Sequence, residues 1–139
     1  MEIMTLKKFY PNVGAWHVMP ALMGRSRKLG WLCADDLGAI VGKVFADPQR
    51  FIGQELSLSS DVQSLAQCRT IYREVMGKNP SGFPMPLWVF KRFGFMGKDL
   101  TTMWTWLGTA TIPLETGPTR EIHPEALSVR DWLSRVRNA

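Results

Sequence analysis

The segment from Trp31 to Ser59, WLCADDLGAIVGKVFADPQRFIGQELSLS, restricts the fold more than any other stretch of the chain. Leu29 to Ala34 is a continuous apolar run, the pattern of a buried strand. Asp35 or Asp36 follows as a helix cap, where a carboxylate accepts from unpaired backbone N–H groups and favours the positive end of the helix. Leu37, Ile40, Val41, Val44 and Phe45 then recur at i, i+3, i+4, i+7 and i+8, a full amphipathic face. Asp47-Pro48 stops the helix and starts a turn, and Gly53 lets the chain reverse. Gln54 to Ser59 alternates as a half-buried strand. A helix that crosses between two strands makes them parallel.

The flanking sequence is read the same way. Glu2 to Phe9 is a short helix ended by Pro11, with Leu6 and Phe9 available to a core. The apolar stretch Ala15 to Gly24 reads as extended, and Pro20 confines it to a sheet edge or an irregular loop. Ser60 and Gln63 have capping-box spacing. Leu65, Cys68, Tyr72 and Val75 form the apolar stripe of the helix they would start, and Gly77 ends it. Leu87 to Phe90 begins a short helix broken at Gly94. Asp99 precedes another, with Leu100, Met103, Trp104 and Leu107 on one face. Ser128 caps a last helix, with Asp131 three residues on and Val129, Trp132, Leu133 and Val136 at helical spacing. The expected fold is α/β: a small, partly parallel sheet with helices, the C-terminal part mostly helical, in one domain over residues 1–139.

Composition narrows the function classes. With 139 residues, 45% of them hydrophobic and 21% charged, the chain has the size and balance of one ordinary globular domain. No apolar run is long enough to span a bilayer. The N-terminus lacks the order of a signal peptide, since its lysines follow rather than precede the apolar residues. Cys33 and Cys68 have neither CxxC nor His-paired spacing, so no zinc site is indicated. They read as buried or half-buried thiols of a reducing, cytoplasmic compartment. The net charge of +5 is scattered, apart from Arg25-Ser26-Arg27-Lys28 and a C-terminal set of Arg130, Arg135 and Arg137. No nucleic-acid module accompanies it.

Few residues are available for catalysis. His17 and His123 are the side chains whose ordinary chemistry suits proton transfer near neutrality, but neither has an evident partner nearby in sequence. His123, before Pro124, reads as a surface turn residue. Asp35 and Asp36 are adjacent and point in different directions, a poor arrangement for paired acid–base work. Trp104 and Trp132 fall on core stripes. Trp16, Trp31, Trp88 and Trp106, with Met19, Met85 and Met103, would wall an aromatic ligand pocket. The same residues are equally suited to a core, or to a surface that another chain or domain covers.

The order and spacing of several pieces resemble the NmrA-like family, atypical relatives of the short-chain dehydrogenases that bind NAD(P). The pieces are Met1-Glu2-Ile3, Trp31 to Gly38, Asp47-Pro48 through Gly53-Gln54, Tyr72 to Gly77, Phe83-Pro84-Met85-Pro86, and Pro124 to Ser128 through Trp132-Leu133. Ile3 departs from the family's usual Asn. The resemblance implies a Rossmann-like half with a glycine-rich phosphate turn, and a smaller C-terminal half that closes a cleft over the nicotinamide. Only the smaller half is matched here, so NAD(P) is implied for the full-length family and no cofactor for this chain alone. The glycines form no GxGxxG or GxxGxxG. Gly38-x-x-x-Gly42 is the nearest approach, and its glycines fall inside the expected helix rather than before it. The Tyr-x-x-x-Lys pair of the short-chain dehydrogenases is absent, since neither Tyr10 nor Tyr72 has a lysine four residues on.

The resemblance also places His17 in a segment that lines the cleft. The expected role is therefore a truncated NmrA-like protein, non-catalytic by itself, offering a ligand pocket or a protein-interaction surface. The pocket candidates are Trp16, His17, Met19, Trp31, Met85, Trp88, Met103 and Trp106, with no catalytic, cofactor-binding or metal residues assigned. Two other readings stay open. One is the substrate-side portion of an NAD(P)H-dependent oxidoreductase acting on quinone-like or aromatic acceptors. The other is a redox-sensing regulatory module with a protein partner. A homodimer or a missing N-terminal half is expected to cover the exposed surface; neither membrane nor nucleic acid is favoured as a partner.

Overall fold

The computed structural model describes residues 1–5, 14–82, 85–92 and 94–139. Its elements run α1 (Met19–Met23), β1 (Lys28–Trp31), α2 (Ala34–Ala46), α3 (Pro48–Phe51), β2 (Asp61–Ser64), α4 (Leu65–Met76), α5 (Leu87–Lys91), α6 (Gly94–Thr109), α7 (Gly117–Ile122) and α8 (Val129–Asn138), with a 3-10 turn at Glu2–Met4 and a π-helical turn at Gly14–Val18. The expected core role of Leu6 and Phe9, and the Phe83-Pro84 piece, lie outside the described residues. Two compact units emerge. One comprises Met1, Lys28–Gln63 and Pro113–Ala139; the other comprises Glu2–Arg27 and Ser64–Ile112.

In the first unit the expected parallel pair is replaced by an antiparallel one. The sheet has two strands, β1 and β2. Ser60 N donates to Trp31 O, which joins the start of β2 to the end of β1, and strands that meet end to start run in opposite directions. The strand expected at Gln54 to Ser59 joins no ladder: Leu56 and Leu58 are half-buried, and the buried Ser59 gives its N–H to Thr119 Oγ1 instead. Its alternation is that of a strand, but the partner of β1 is the next segment. There Ser60 Oγ lies 3.0 Å from Trp31 O, and the Trp31 indole donates to Gln63 O at 2.9 Å. Gly30 is required at this crossing, since a Cβ there would sit 2.8 Å from Ser59 Cβ.

Helix α2 forms where expected and ends before Pro48, which opens the single turn of α3. Its buried face differs from the expected one. Ile40 and Asp36 are buried, Val44 is half-buried, and Leu37, Val41 and Phe45 are exposed, Phe45 by 79%. The expected side-chain cap is also absent: Cys33 is the N-cap residue and no side chain closes it. Asp36 reaches across the unit instead, accepting from Leu127 N at 2.8 Å. Asp61 does the same for α8, accepting from Val129 N at 3.0 Å. Ser128 caps α8 through Asp131 N, and Val129, Trp132 and Leu133 are buried as the spacing predicts.

In the second unit the apolar stretch from Ala15 to Gly24 is helical rather than extended. Trp16, Met19 and Met23 are buried at i, i+3 and i+7, a helical spacing that outweighs the proline. Pro20 sits in the first turn of α1, where its missing N–H costs nothing. The capping box lies one turn later than expected: Ser64 Oγ accepts from Gln67 N, and the Gln67 side chain accepts from Ser64 N. Leu65, Cys68 and Val75 are buried on α4, Tyr72 is half-buried, and Gly77 closes the helix in the left-handed region. Helix α6 begins at Gly94, five residues before Asp99. Trp104 is fully buried and stacks on Phe90 at 5.7 Å, whereas Met103 is exposed. Cys33 and Cys68 are both buried thiols.

Candidate functional site

Helix α4 presents Leu65, Ala66, Arg69, Thr70 and Arg73 at i, i+1, i+4, i+5 and i+8, so these residues share one side of the helix. The π-helical turn and α1 face that side with Trp16, His17, Pro20 and Ala21, and Arg25 follows from the loop beyond α1. Together they line an open cavity of about 270 Å³ within the second unit, at whose rim Ala21, Arg25, Ala66, Thr70 and Arg73 are exposed. Trp16 is buried and meets Tyr72 edge-on, with ring centroids 5.4 Å apart. Its backbone carbonyl accepts from Arg69 Nη2 at 3.1 Å, which holds that guanidinium against the turn.

Three guanidinium groups thus border one small space, and no carboxylate is among its lining residues. Arg69 and Arg73 are an i, i+4 like-charge pair, an arrangement that costs an isolated helix about 0.2–0.5 kcal/mol. The first turn of α4 holds no acidic residue to offset the positive helix end. His17 is half-buried in the same wall. It stands among arginines, without the carboxylate that orients a general base. The arrangement is suited to binding and orienting rather than to proton abstraction.

Of the pocket residues expected from sequence, Trp16 and His17 line this cavity. Met19 is buried in the core of the same unit. Met85 is half-buried, and Trp88, Met103 and Trp106 are exposed on the α5 and α6 segments. Trp31 belongs to the first unit, in β1. The arginines were missed by a search for aromatic and acid–base residues. The available signal was Arg69 and Arg73 at helical spacing on the polar side of the Leu65–Cys68–Val75 stripe.

The first unit contains a second polar cluster. His123 Nε2 lies 3.4 Å from Asp36 Oδ1, and His123 Nδ1 lies 3.2 Å from Lys43 Nζ. Lys43 has only protons to offer, so Nδ1 accepts and the ring proton sits on Nε2, facing Asp36. Lys43 also donates to Ile122 O at 3.0 Å. His123 is therefore not the surface turn residue expected: with Asp36 and Lys43 it ties α7 to α2. Among the described residues, no group of three His, Cys, Asp or Glu is placed to hold a metal ion, and no helix is long and apolar enough to cross a membrane.

The model of the NmrA-like family matches residues 9–132 of the chain. The chain belongs to the NmrA-like family. No curated protein matches it at a significant level. NAD(P), the cofactor associated with NmrA-like proteins, calls for glycines immediately before a helix, so that backbone N–H groups meet the pyrophosphate. Gly38 and Gly42 lie inside α2 instead, where the backbone N–H groups point along the helix.

Proposed function

We propose that this NmrA-like chain is a binding module that holds a small ligand and does not turn it over by itself. The cavity between the π-helical turn, α1 and α4 carries the reading, because it gathers Trp16, His17 and three arginines around a space of ligand size. The missing Tyr-x-x-x-Lys pair supports the non-catalytic half of the proposal. The test is amide chemical-shift mapping with phenol, benzoate and phenyl phosphate, together with an assay of NADPH-dependent reduction of 1,4-benzoquinone. The expected outcome is shifts confined to residues 16–25 and 65–73, with no NADPH oxidation above background. Turnover above background would favour the alternative, a portion of an oxidoreductase acting on quinone-like acceptors. Shifts from none of the probes in those two segments would remove the pocket reading.

A second reading has its own support, in the exposed stripe of Leu37, Val41 and Phe45 on α2 and in Ile52, which is 82% exposed. Gly38 and Gly42 adjoin the stripe and leave room for close helix approach, since a Cβ at either would meet nothing within 4 Å. The occupant proposed is a second copy of this chain. Light scattering should find a dimer that Phe45→Glu converts to monomer; a wild-type monomer at high concentration would count against it.

A further inference from the structure

We propose that the ligand of the cavity in the second unit is a small oxyanion, a phosphate or carboxylate group carried on a compact aromatic or apolar body. The inference rests on the pocket reading above and specifies its chemistry. A neutral acceptor would leave unused the positive field of three arginines, of which Arg69 is half-buried and Arg25 and Arg73 are exposed at the rim. Arg25, Arg69 and Arg73 all line the cavity, and no Asp or Glu does.

The backbone at Arg25 and the guanidinium of Arg69 are fixed by hydrogen bonds. Ala66 N donates to Arg25 O at 3.3 Å, which fastens Arg25 beside the first turn of α4. Arg69 Nη2 donates to Trp16 O, and the planar guanidinium keeps further N–H groups for an incoming oxyanion. Arg73 follows one turn along the same side of α4. An anion between these groups forms charge-assisted hydrogen bonds and removes the repulsion between them. The helix end itself contributes field rather than donors, because its early N–H groups are already engaged: Ala66 N by Arg25 O, and Gln67 N by Ser64 Oγ.

The remaining lining defines the rest of the ligand. Trp16, Pro20, Ala21 and Leu65 form an apolar wall, with the indole of Trp16 fixed against Tyr72. A volume of about 270 Å³ admits a single ring with its acid group. An inorganic anion would leave the apolar wall unused. Phenyl phosphate and benzoate match the two ends of the cavity; phenol matches only the apolar one.

Calorimetric titration of the full chain at low ionic strength tests the assignment, with phenyl phosphate, benzoate, inorganic phosphate and phenol as probes. One of the two aromatic anions is expected to bind at least tenfold more tightly than phenol and more tightly than inorganic phosphate. Which of the two is tighter decides between phosphate and carboxylate. Arg73→Gln and Arg25→Gln should each weaken that anion by roughly tenfold, the scale of one charge-assisted hydrogen bond, and leave phenol unchanged. Arg69 is a poorer first target because it also holds the Trp16 turn. Arg73→Gln should not lower the melting temperature of the ligand-free chain, since it relieves a like-charge pair; a marked fall would assign Arg73 to the fold and overturn the proposal. Phenol binding as tightly as the anions, with no response to either substitution, would overturn the oxyanion assignment and leave the pocket standing. Binding of no probe would remove both.

Discussion

At the residue scale, the side chains that matter most to the first unit act far from their own element. Asp36 sits in the first turn of α2 but accepts from Leu127 N, 91 residues away, and faces His123. Removing the carboxylate leaves a backbone N–H and the ring proton of His123 without their acceptor in a nearly water-free site. Asp36→Ala should therefore cost about 1–3 kcal/mol of stability, measured by urea unfolding, whereas Asp35→Ala, at an exposed position paired loosely with Arg135, should cost under about 0.5 kcal/mol. Gly30 shows the same dependence on a distant neighbour. A methyl group there meets Ser59 Cβ, both atoms belonging to closely packed chain, so Gly30→Ala should destabilise by about 1–3 kcal/mol with no change in ligand binding by the second unit. Neither effect is visible in sequence, because the residues concerned are brought together only by the crossing of β1 with the segment before β2.

At the element scale, the periodicity that announced α2 was sound, and its burial was not. The apolar residues form a broad face, but only the edge carrying Ile40 is covered by the first unit. Ile40→Ala should cost about 2–5 kcal/mol. At concentrations where the chain is monomeric, Phe45→Ser should change stability by no more than about 0.5 kcal/mol, and thermal unfolding of the two variants side by side checks the contrast. Helix α8 was legible down to its Ser128 cap and α4 down to its stripe and its Gly77 stop, because these are local signals, whereas the capping box of α4 is Ser64 with Gln67 and not Ser60 with Gln63. The sheet was not, because strand pairing is a non-local choice: Gln54 to Ser59 has the better alternation, yet Asp61 to Gln63 has the hydrogen-bonding partners. The Trp16–Met23 helix was obscured by Pro20, which is a breaker in a helix interior and harmless in a first turn. Of the site, Trp16 and His17 were readable as candidates; the arginines that give it its charge looked like an ordinary solvated face until α1 and the π-helical turn were placed opposite them.

At the scale of the whole molecule, both units are assembled from separated stretches of chain. The first depends on its C-terminal segment. Leu127 N and Ile122 O are bound by side chains of α2, and Val129 N by Asp61. Deleting residues 128–139 should therefore accelerate amide hydrogen exchange around Ile40, although the deletion lies far along the sequence. Protection there equal to that of the full chain would show that α2 stands without α8. The family match spans residues from both units, so membership in the NmrA-like family was readable from the order of short motifs even where their geometry was not.

The two overlapping start signals, Ser60 with Gln63 and Ser64 with Gln67, bear on how the chain emerges during synthesis. Ser60 and Asp61 are kept out of a helix in part by Leu127 O and Val129 N, which are made more than sixty residues later. Until then the earlier signal meets less opposition, and a helix begun at Ser60 has to give up its first turn when residues 127–129 arrive. Residues translated well after it therefore help to decide where helix α4 begins.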